Sequence, residues 1–162
     1  MKITQRLINH LNDQHVTYET IHHPARFTAQ ELAAIEHVKG RHHAKVVMLN
    51  SDGHPMMAVL PSDRWVDGDK LEALTGKPAK IATEEEFKTF FPDCDVGAMP
   101  PFGDLYGMPT YMDRSLMDDD WIVFEAGTHT DAMKMAYRDY ERVAHPIVGD
   151  IAFGYTPRQR AA

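Results

Sequence analysis

The sequence predicts an α+β fold, in which a mixed sheet is flanked by helices. Helical and strand patterns interleave along the chain without the regular spacing of a doubly wound parallel sheet. Asp52-Gly53 lies between two apolar runs and is typical of a hairpin turn, so part of the sheet is antiparallel. The 162 residues, 43% of them hydrophobic, are enough for one domain with its own core.

The predicted helices begin at capping residues or follow an apolar periodicity. Ile3, Leu7 and Leu11 recur at helical spacing and predict a helix over residues 2–13. Capping signals predict three further helices, which begin after Thr28, Asp67 and Thr83, and a short helix is predicted over residues 139–144. These helices would supply the layer that covers the sheet.

Alternating or continuous apolar runs bounded by turn residues predict the strands. The predicted strands are residues 16–23, 44–49, 56–60, 80–82, 110–112, 121–125 and 131–137. Residues 93–109 are rich in Pro and Gly and are predicted to be irregular. We expect one domain over residues 1–154, followed by a flexible tail over residues 155–162.

Composition limits the classes of function. The net charge of −7 argues against a general nucleic-acid binder, so any contact with RNA must use a local patch. Cys94 is the only cysteine, which excludes an intramolecular disulfide and favours a reducing compartment. The chain shows no signal peptide or membrane-spanning run, so we expect a cytoplasmic protein that binds neither membrane nor DNA.

The segment from Val96 to Gly103 is the first candidate site. Its two glycines and two prolines make a loop that is stiff at some positions and free at others. Such a loop can bring backbone amides close to a ligand and serve as an oxyanion hole in acyl transfer. The alternative is a tight structural turn, which composition alone favours.

Lys45 is the second candidate, because it lies just inside an apolar strand. In a pocket its amine could hold a carbonyl or phosphate oxygen, and burial would lower its pKa. The alternative is a lysine that points outward from the strand, and periodicity alone favours that alternative.

Together these residues resemble the family of YbaK and prolyl-tRNA-synthetase-associated aminoacyl-tRNA deacylases. Gly97-Ala98-Met99-Pro100 is similar to the GxxP motif of that family, and Ala44-Lys45 is similar to its lysine-bearing strand. Three further segments are similar to family segments: Ile21 to Leu32, Asp63 to Leu71, and Gly127 to His129. The resemblance runs from about Tyr18 to Tyr140.

The resemblance implies a compact YbaK-like domain with a mixed, mostly antiparallel, barrel-like sheet. It implies hydrolysis of the ester that joins an amino acid to the 3′-terminal adenosine of tRNA. The implied catalytic residues are Lys45, Gly97 and His129, and the implied substrate-binding residues are His22, Phe27, Thr28, Ala98, Met99 and Pro100. No cofactor is implied, and the implied partners are the acceptor end of an aminoacyl-tRNA and an aminoacyl-tRNA synthetase as recruiter.

The resemblance also implies trans-editing, for example of tRNA for proline that carries a smaller amino acid. In several family members the 2′-hydroxyl of the substrate helps to activate water, so no Ser or Cys nucleophile is required. Val46 stands where some relatives carry a polar residue, which leaves the amino-acid specificity open.

Two other functions stay open at this stage. One is a non-catalytic module that binds an aminoacyl or nucleotide end. The other is a metal-dependent hydrolase that uses His22-His23 and His42-His43. Neither a metal-binding motif nor a catalytic cysteine motif accompanies these residues, so we expect the histidines to face solvent or lie in loops, and Cys94 to be structural.

Overall fold

The computed structural model describes residues 3–24 and 43–154. The α-helices in these ranges are α1 (Gln5–Asp13), α2 (Gly68–Thr75), α3 (Glu84–Phe87) and α4 (Tyr137–Ala144). Short 3₁₀-helices span Lys88–Phe90, Gly103–Tyr106 and Arg114–Asp118. Within the described ranges, no helix is long and apolar enough to cross a membrane.

The described strands form three sheets. The strands are β1 (Tyr18–His22), β2 (Ala44–Ser51), β3 (His54–Pro61), β4 (Trp65–Val66), β5 (Lys80–Ile81), β6 (Thr110–Asp113), β7 (Trp121–Thr128), β8 (Asp131–Ala136), β9 (Ile147–Gly149) and β10 (Ala152–Phe153). Their orders are β1-β8-β7, β10-β4 and β5-β2-β3-β6-β9. The β3-β6 and β6-β9 pairs are parallel and the other pairs are antiparallel, as expected for a mixed sheet.

Local sequence signals explain the central hairpin and the helix that follows it. Asp52 and Gly53 both have positive φ angles, of 51° and 82°, which is the backbone that a tight two-residue hairpin turn requires. Asp67 caps α2 by accepting hydrogen bonds from the amides of Asp69 and Lys70. Gly76 ends α2 in the left-handed conformation, where glycine is favoured.

The two faces of the central sheet support two separate cores. Alternate residues of β2, such as Ala44 and Met48, pack in the main core, whereas Leu49 packs in a second cluster with Leu71 of α2. The main core also contains Phe124 of β7, so it lies between the two larger sheets. A parallel bridge from His43 to Val123 connects those sheets at the start of β2.

The α+β fold and the predicted helices and strands in the described ranges are confirmed. The helix predicted after Thr28 and the tail after Gly154 lie outside the described residues. Five elements were not predicted: the strands β4, β9 and β10 and the 3₁₀-helices Gly103–Tyr106 and Arg114–Asp118. The three strands have two or three residues each, too few to show a periodic pattern.

Candidate functional site

The loop that begins at Gly97 is fixed against the end of β7 by backbone hydrogen bonds. The amide of Gly127 donates to the carbonyl of Ala98, and the amide of Asp95 donates to the carbonyl of Gly127, both at 2.8 Å. A turn closes the loop, because the Ala98 amide donates to the Asp95 carbonyl at 3.0 Å. These backbone hydrogen bonds fix the path of the loop along the end of β7.

Gly97 and His129 lie side by side, although 32 positions separate them in the sequence. Gly97 has a φ of +87°, and a Cβ atom there would stand 3.4 Å from the His129 ring. Nε2 of His129 lies 2.7 Å from the carbonyl oxygen of Val96. A carbonyl only accepts, so Nε2 carries the proton, and Nδ1 is the acceptor when the ring is neutral.

The backbone groups of the loop are not all available to a ligand. Both the amide and the carbonyl of Ala98 are engaged within the fold. The Gly97 amide faces only the sulfur of Met99, at 3.2 Å, and a thioether is a weak acceptor. The amide of Met99 has no hydrogen-bond partner among the residues that the structure describes. The amides of Gly97 and Met99 are thus the two in this loop that have no oxygen acceptor among the described residues.

The side chains of Ala98, Met99 and Pro100 point into the protein. All three residues are buried, and Met99 belongs to the main core. They therefore anchor the loop, and their contribution to a ligand is limited to backbone atoms. The carbonyl of Pro100 already accepts a hydrogen bond from the Phe102 amide at 2.8 Å.

A polar cluster behind the loop ties it to the N-terminal segment. The Asp93 carboxylate accepts hydrogen bonds from the hydroxyls of Thr4 and Tyr106, and the Arg6 guanidinium lies 3.6 Å away. Burial acts to raise the pKa of Asp93, but the bonds from Thr4 and the charge of Arg6 hold it below its usual range. Asp93 is consequently a carboxylate at neutral pH. Its contacts with Thr4 and Arg6 connect the segment that precedes the loop to the N-terminal residues.

Cys94 belongs to the same cluster and is not poised for chemistry. Its sulfur lies 3.3 Å from the Tyr106 hydroxyl and 3.6 Å from the Asp93 carboxylate. Burial, with the nearby Asp93 charge, raises the pKa of the thiol to about 12. At neutral pH the thiol is almost entirely protonated, which agrees with the structural role expected for Cys94.

Lys45 is partly buried at the start of β2, and its amine lies over an aromatic ring. Nζ stands 4.6 Å from the centre of the Trp65 ring. Burial lowers the pKa of Lys45, and the Asp63 carboxylate opposes this shift. The residue is therefore neither a fully exposed strand lysine nor a fully buried one. Its amine is a desolvated cation with an aromatic neighbour.

The loop and the start of β2 both meet β7. Val123 bridges to His43, two residues before Lys45, and Gly127 holds the loop four residues further along β7. Since the bridge is parallel, β2 and β7 run in the same direction there, and β2 heads towards the Gly127 end. Four residues of a strand span about 13 Å, so the start of β2 and the loop contact β7 at points about 13 Å apart.

Two buried histidines precede Lys45 in this region. His23 and His43 are 3% and 2% exposed, so neither faces solvent; His23 lies in the loop after β1, and the expectation of a solvent-facing or loop histidine is wrong for His43, which bridges to β7. Nε2 of His23 lies 3.4 Å from the Glu125 carboxylate, and Nδ1 of His43 lies 2.7 Å from the Ser62 hydroxyl. Burial, reinforced by His23, lowers the pKa of His43 to about 4, so this ring is neutral at pH 7.

The Ser62 contacts fix the tautomer of His43. The Ser62 hydroxyl donates to the carbonyl of His43 at 2.7 Å, and its one proton is thereby used. Nδ1 of His43 must then donate to the hydroxyl oxygen. The hydrogen bonds between His43 and Ser62 therefore fix the position of His43, two residues before Lys45.

The remaining predicted site residues lie beside the β7–β8 turn or outside the described ranges. His22 is exposed, and its Nδ1 lies 3.1 Å from the carboxylate of Asp131, which closes the turn that carries His129. Phe27 and Thr28 lie outside the described residues. Within residues 3–24 and 43–154, no three His, Cys, Asp or Glu side chains converge on a point that could hold a metal ion.

Sequence reasoning missed Trp65, Asp63 and Ser62 as neighbours of the site. Asp63 and Trp65 lie inside the segment that resembles the family, yet no local pattern shows that they meet the Lys45 side chain. No local signal was available for Trp65, because it lies between Arg64 and Val66 in a two-residue strand that is too short to show an alternation.

The family of aminoacyl-tRNA editing domains matches residues 23–143 of this chain. The chain belongs to this family. The matched span contains both Lys45 and the 97–100 loop, and membership supports a role in aminoacyl-tRNA editing and hence in translation fidelity. No match was found among curated proteins.

Solved structures agree on the fold. A crystal structure of a proposed trans-editing enzyme for prolyl tRNA synthetase has a TM-score of 0.81 at 20% identity, covering 93% of this chain and 96% of that one. The hypothetical protein APE2540 has a TM-score of 0.80 at 17% identity, covering 92% and 100%. A scaffold protein from an epitope-grafting design gives 0.81 at 19% identity, covering 93% and 97%. At such identities the likeness establishes the fold.

Proposed function

We propose that this protein is a trans-editing deacylase that hydrolyses the ester of a misacylated tRNA, with Lys45 and the 97–100 loop on two sides of one site. Family membership supports the substrate class, since editing domains act on aminoacyl-tRNA. The observation that carries the mechanism is the desolvated amine of Lys45 on a strand that runs towards the end of β7 where the loop is fixed.

The amine of Lys45 binds an oxygen of the substrate, either of the terminal phosphate or of the ester carbonyl. Its partial burial favours this role, because a cation with reduced hydration gains more from an anionic oxygen than one in open water. The same burial holds the amine in one place, since it rests on the Trp65 ring. Positioning of this kind lowers the entropic part of the barrier.

The loop supplies the second half of the site. The amides of Gly97 and Met99 donate to the carbonyl oxygen as negative charge develops on it in the tetrahedral intermediate. Hydrogen bonds to β7 fix the loop in advance, so little reorganisation is required during the reaction. The Ala98 amide takes no part, because it is bonded to Asp95.

His129 orients a donor group of the substrate or the attacking water. Since Nε2–H is held by the Val96 carbonyl, the neutral ring presents Nδ1 as an acceptor. The 2′-hydroxyl of the terminal ribose and the attacking water are both donors of suitable size. An aminoacyl ester is already activated, so positioning and oxyanion stabilisation suffice without a protein nucleophile.

The substrate we propose is tRNA for proline that carries a smaller amino acid. A structural neighbour proposed to act in trans for prolyl tRNA synthetase supports this choice. Rejection of larger amino acids would rest on pocket size, which discriminates one methylene by only about 1–3 kcal/mol. The protein would thus act as a second sieve after the synthetase.

A panel of charged tRNAs tests the proposal. Purified protein is incubated with tRNA for proline charged with alanine, serine, cysteine or proline, with and without a chelator, and the remaining ester is measured. We expect hydrolysis of a small-amino-acid ester that survives the chelator and is lost in Lys45→Ala. Binding without hydrolysis would favour the non-catalytic module, and loss of activity in chelator would favour a metallohydrolase.

A further inference from the structure

Trp65 presents a large aromatic surface beside the proposed substrate-binding amine. The residue is 48% exposed, although it lies in the two-residue strand β4 and pairs with Phe153 of β10. The amine of Lys45 stands 4.6 Å from the centre of its ring. The backbone of Trp65 is thus fixed by its pairing with β10, and about half of the residue's surface stays open to solvent.

The chemistry of the substrate end matches this surface. An aminoacyl ester sits on a terminal nucleotide whose base is unpaired and whose phosphate is close by. Unpaired bases stack on aromatic side chains whatever their identity, because each base has a π face. A lysine amine beside the indole then provides a positive charge for the phosphate on the 5′ side of the terminal nucleoside.

We propose that Trp65 is a stacking residue for an unpaired base at the 3′ end of the tRNA. The inference rests on the proposed function, since it needs Lys45 to contact the same terminal nucleotide. It names a binding residue that belongs to neither the lysine strand nor the glycine–proline loop. It also gives the acidic protein a source of RNA affinity other than charge.

A stacking contact has a distinctive dependence on salt. Affinity that depends on phosphate neutralisation falls steeply as salt increases, because counterions are released on binding. Stacking releases few counterions. With a net charge of −7, we therefore expect binding of the 3′ end to weaken only slightly as salt is raised.

Trp121 provides a matched control inside the same chain. It is also 48% exposed, and the amine of Lys134 lies 4.8 Å from the centre of its ring. It begins β7, six residues before Gly127, which corresponds to about 20 Å along the strand. Both tryptophans are thus half-exposed with a lysine amine over the ring, and only Trp65 lies beside Lys45, the proposed substrate-binding residue.

The test uses an uncharged RNA hairpin that ends in an unpaired CCA, and the same hairpin with a blunt end. The chain has two tryptophans, so Trp121→Phe leaves Trp65 as the only indole, and Trp65→Phe leaves Trp121. We expect the CCA hairpin to quench the fluorescence of Trp65 and to leave that of Trp121 unchanged. The blunt hairpin should quench neither.

Binding constants complete the test. Trp65→Ala should weaken binding of the CCA hairpin about tenfold, Trp65→Phe should retain most of it, and Trp121→Ala should stay within twofold of the unchanged protein. Equal losses in Trp65→Ala and Trp121→Ala, or an unquenched Trp65, would overturn the proposal. A fully folded Trp65→Phe that binds normally keeps the test valid if Trp65→Ala is unstable.

Deacylation assays separate this inference from the proposed function. If aminoacyl-tRNA is hydrolysed, Trp65→Ala should raise KM about tenfold and leave kcat within threefold. Hydrolysis with an unchanged KM would end the stacking role and leave the deacylase intact. Quenching of Trp65 by the CCA end with no hydrolysis of any charged tRNA would support the stacking role and contradict the deacylase activity.

Discussion

The two halves of the proposed site are held in place by different means. The loop at Gly97 is fixed mainly by backbone hydrogen bonds to Gly127 and Asp95, and the buried side chains of Ala98, Met99 and Pro100 anchor it. Lys45 is placed by side-chain contacts alone, through burial, the Trp65 ring and the Asp63 charge. The main chain thus fixes the loop half of the site, whereas the position and pKa of the Lys45 amine depend on neighbouring side chains.

This difference suggests how the site divides its work. Backbone amides give fixed hydrogen-bond directions, which suit a carbonyl oxygen that must be held in one place. A lysine amine supplies a full positive charge, which suits an anionic oxygen of the phosphate or of the reacting carbonyl. Substitutions should therefore disable the two halves in different ways.

The largest effect is expected on the side-chain half. Lys45→Ala should lower kcat/KM for aminoacyl-tRNA hydrolysis about 10²–10³-fold, because the charge that holds the substrate oxygen is removed. The thermal unfolding temperature should change little, since the cation–π contact is a minor contribution to stability. Steady-state deacylation assays and a melting curve measure both quantities.

Lys134→Ala is the control for this loss. Lys134 makes the same kind of contact with Trp121, so its removal should leave kcat/KM within twofold. If the two alanine variants lost activity equally, the side-chain half would have no special role.

The next effect concerns the histidine that precedes Lys45. The folded protein holds His43 neutral with a pKa of about 4, whereas the unfolded chain has an ordinary histidine pKa of about 6.5. Between these values the unfolded chain binds a proton that the folded protein does not. The free energy of unfolding should therefore fall as the pH drops from about 6.5 to 4, by at most about 3 kcal/mol from this residue.

His43→Asn isolates that contribution. Asparagine can still donate to Ser62 but does not titrate, so the variant should lose part of the acid dependence of stability. Urea unfolding at pH 7 and at pH 4.5 measures the slope for both proteins. Identical slopes would mean that the buried ring is not held neutral by the fold.

A smaller effect is expected on the backbone half. Gly97→Ala strains the backbone at φ +87° and brings the new Cβ into contact with the His129 ring, so the relaxing loop should shift its amides and lower kcat/KM about tenfold. Gly53→Ala is the matched control, with a φ of +82° and open space around the new Cβ. Both variants should lose about 1–2 kcal/mol of stability, and only the first should lose activity. Equal activity in both would remove the loop from the site.

The smallest effect is expected at Cys94, which lies behind the loop and outside both halves. Since its thiol pKa is about 12, the folded protein should react slowly with alkylating reagents at pH 7. Cys94→Ala should keep kcat/KM within twofold. Rapid alkylation with loss of activity would instead give the thiol a catalytic role.

The sequence allowed the locally encoded parts of the fold to be predicted. Asp52-Gly53 determines a hairpin and Asp67 caps a helix, and both act within a few residues. The strand β9 could not be predicted, because Ile147–Gly149 is stabilised by parallel pairing with β6, more than thirty residues earlier.

The same distinction applies to the site. Gly97 and Lys45 stand out by composition and by their place in an apolar run. The contact between Gly97 and His129 arises only when β7 folds back on the loop, so no local pattern could reveal it. The neutral His43 likewise depends on burial by distant segments, and its place in the sequence suggested a solvent-facing residue.

A crystal structure with a non-hydrolysable 3′-aminoacyl-adenosine amide tests most directly whether the two halves form one site. We predict that a single bound ligand accepts hydrogen bonds from the Lys45 amine and from the amide of Gly97 or Met99. A ligand held by the loop with the Lys45 amine out of reach, or a ligand bound at another part of the molecule, would contradict the proposed mechanism.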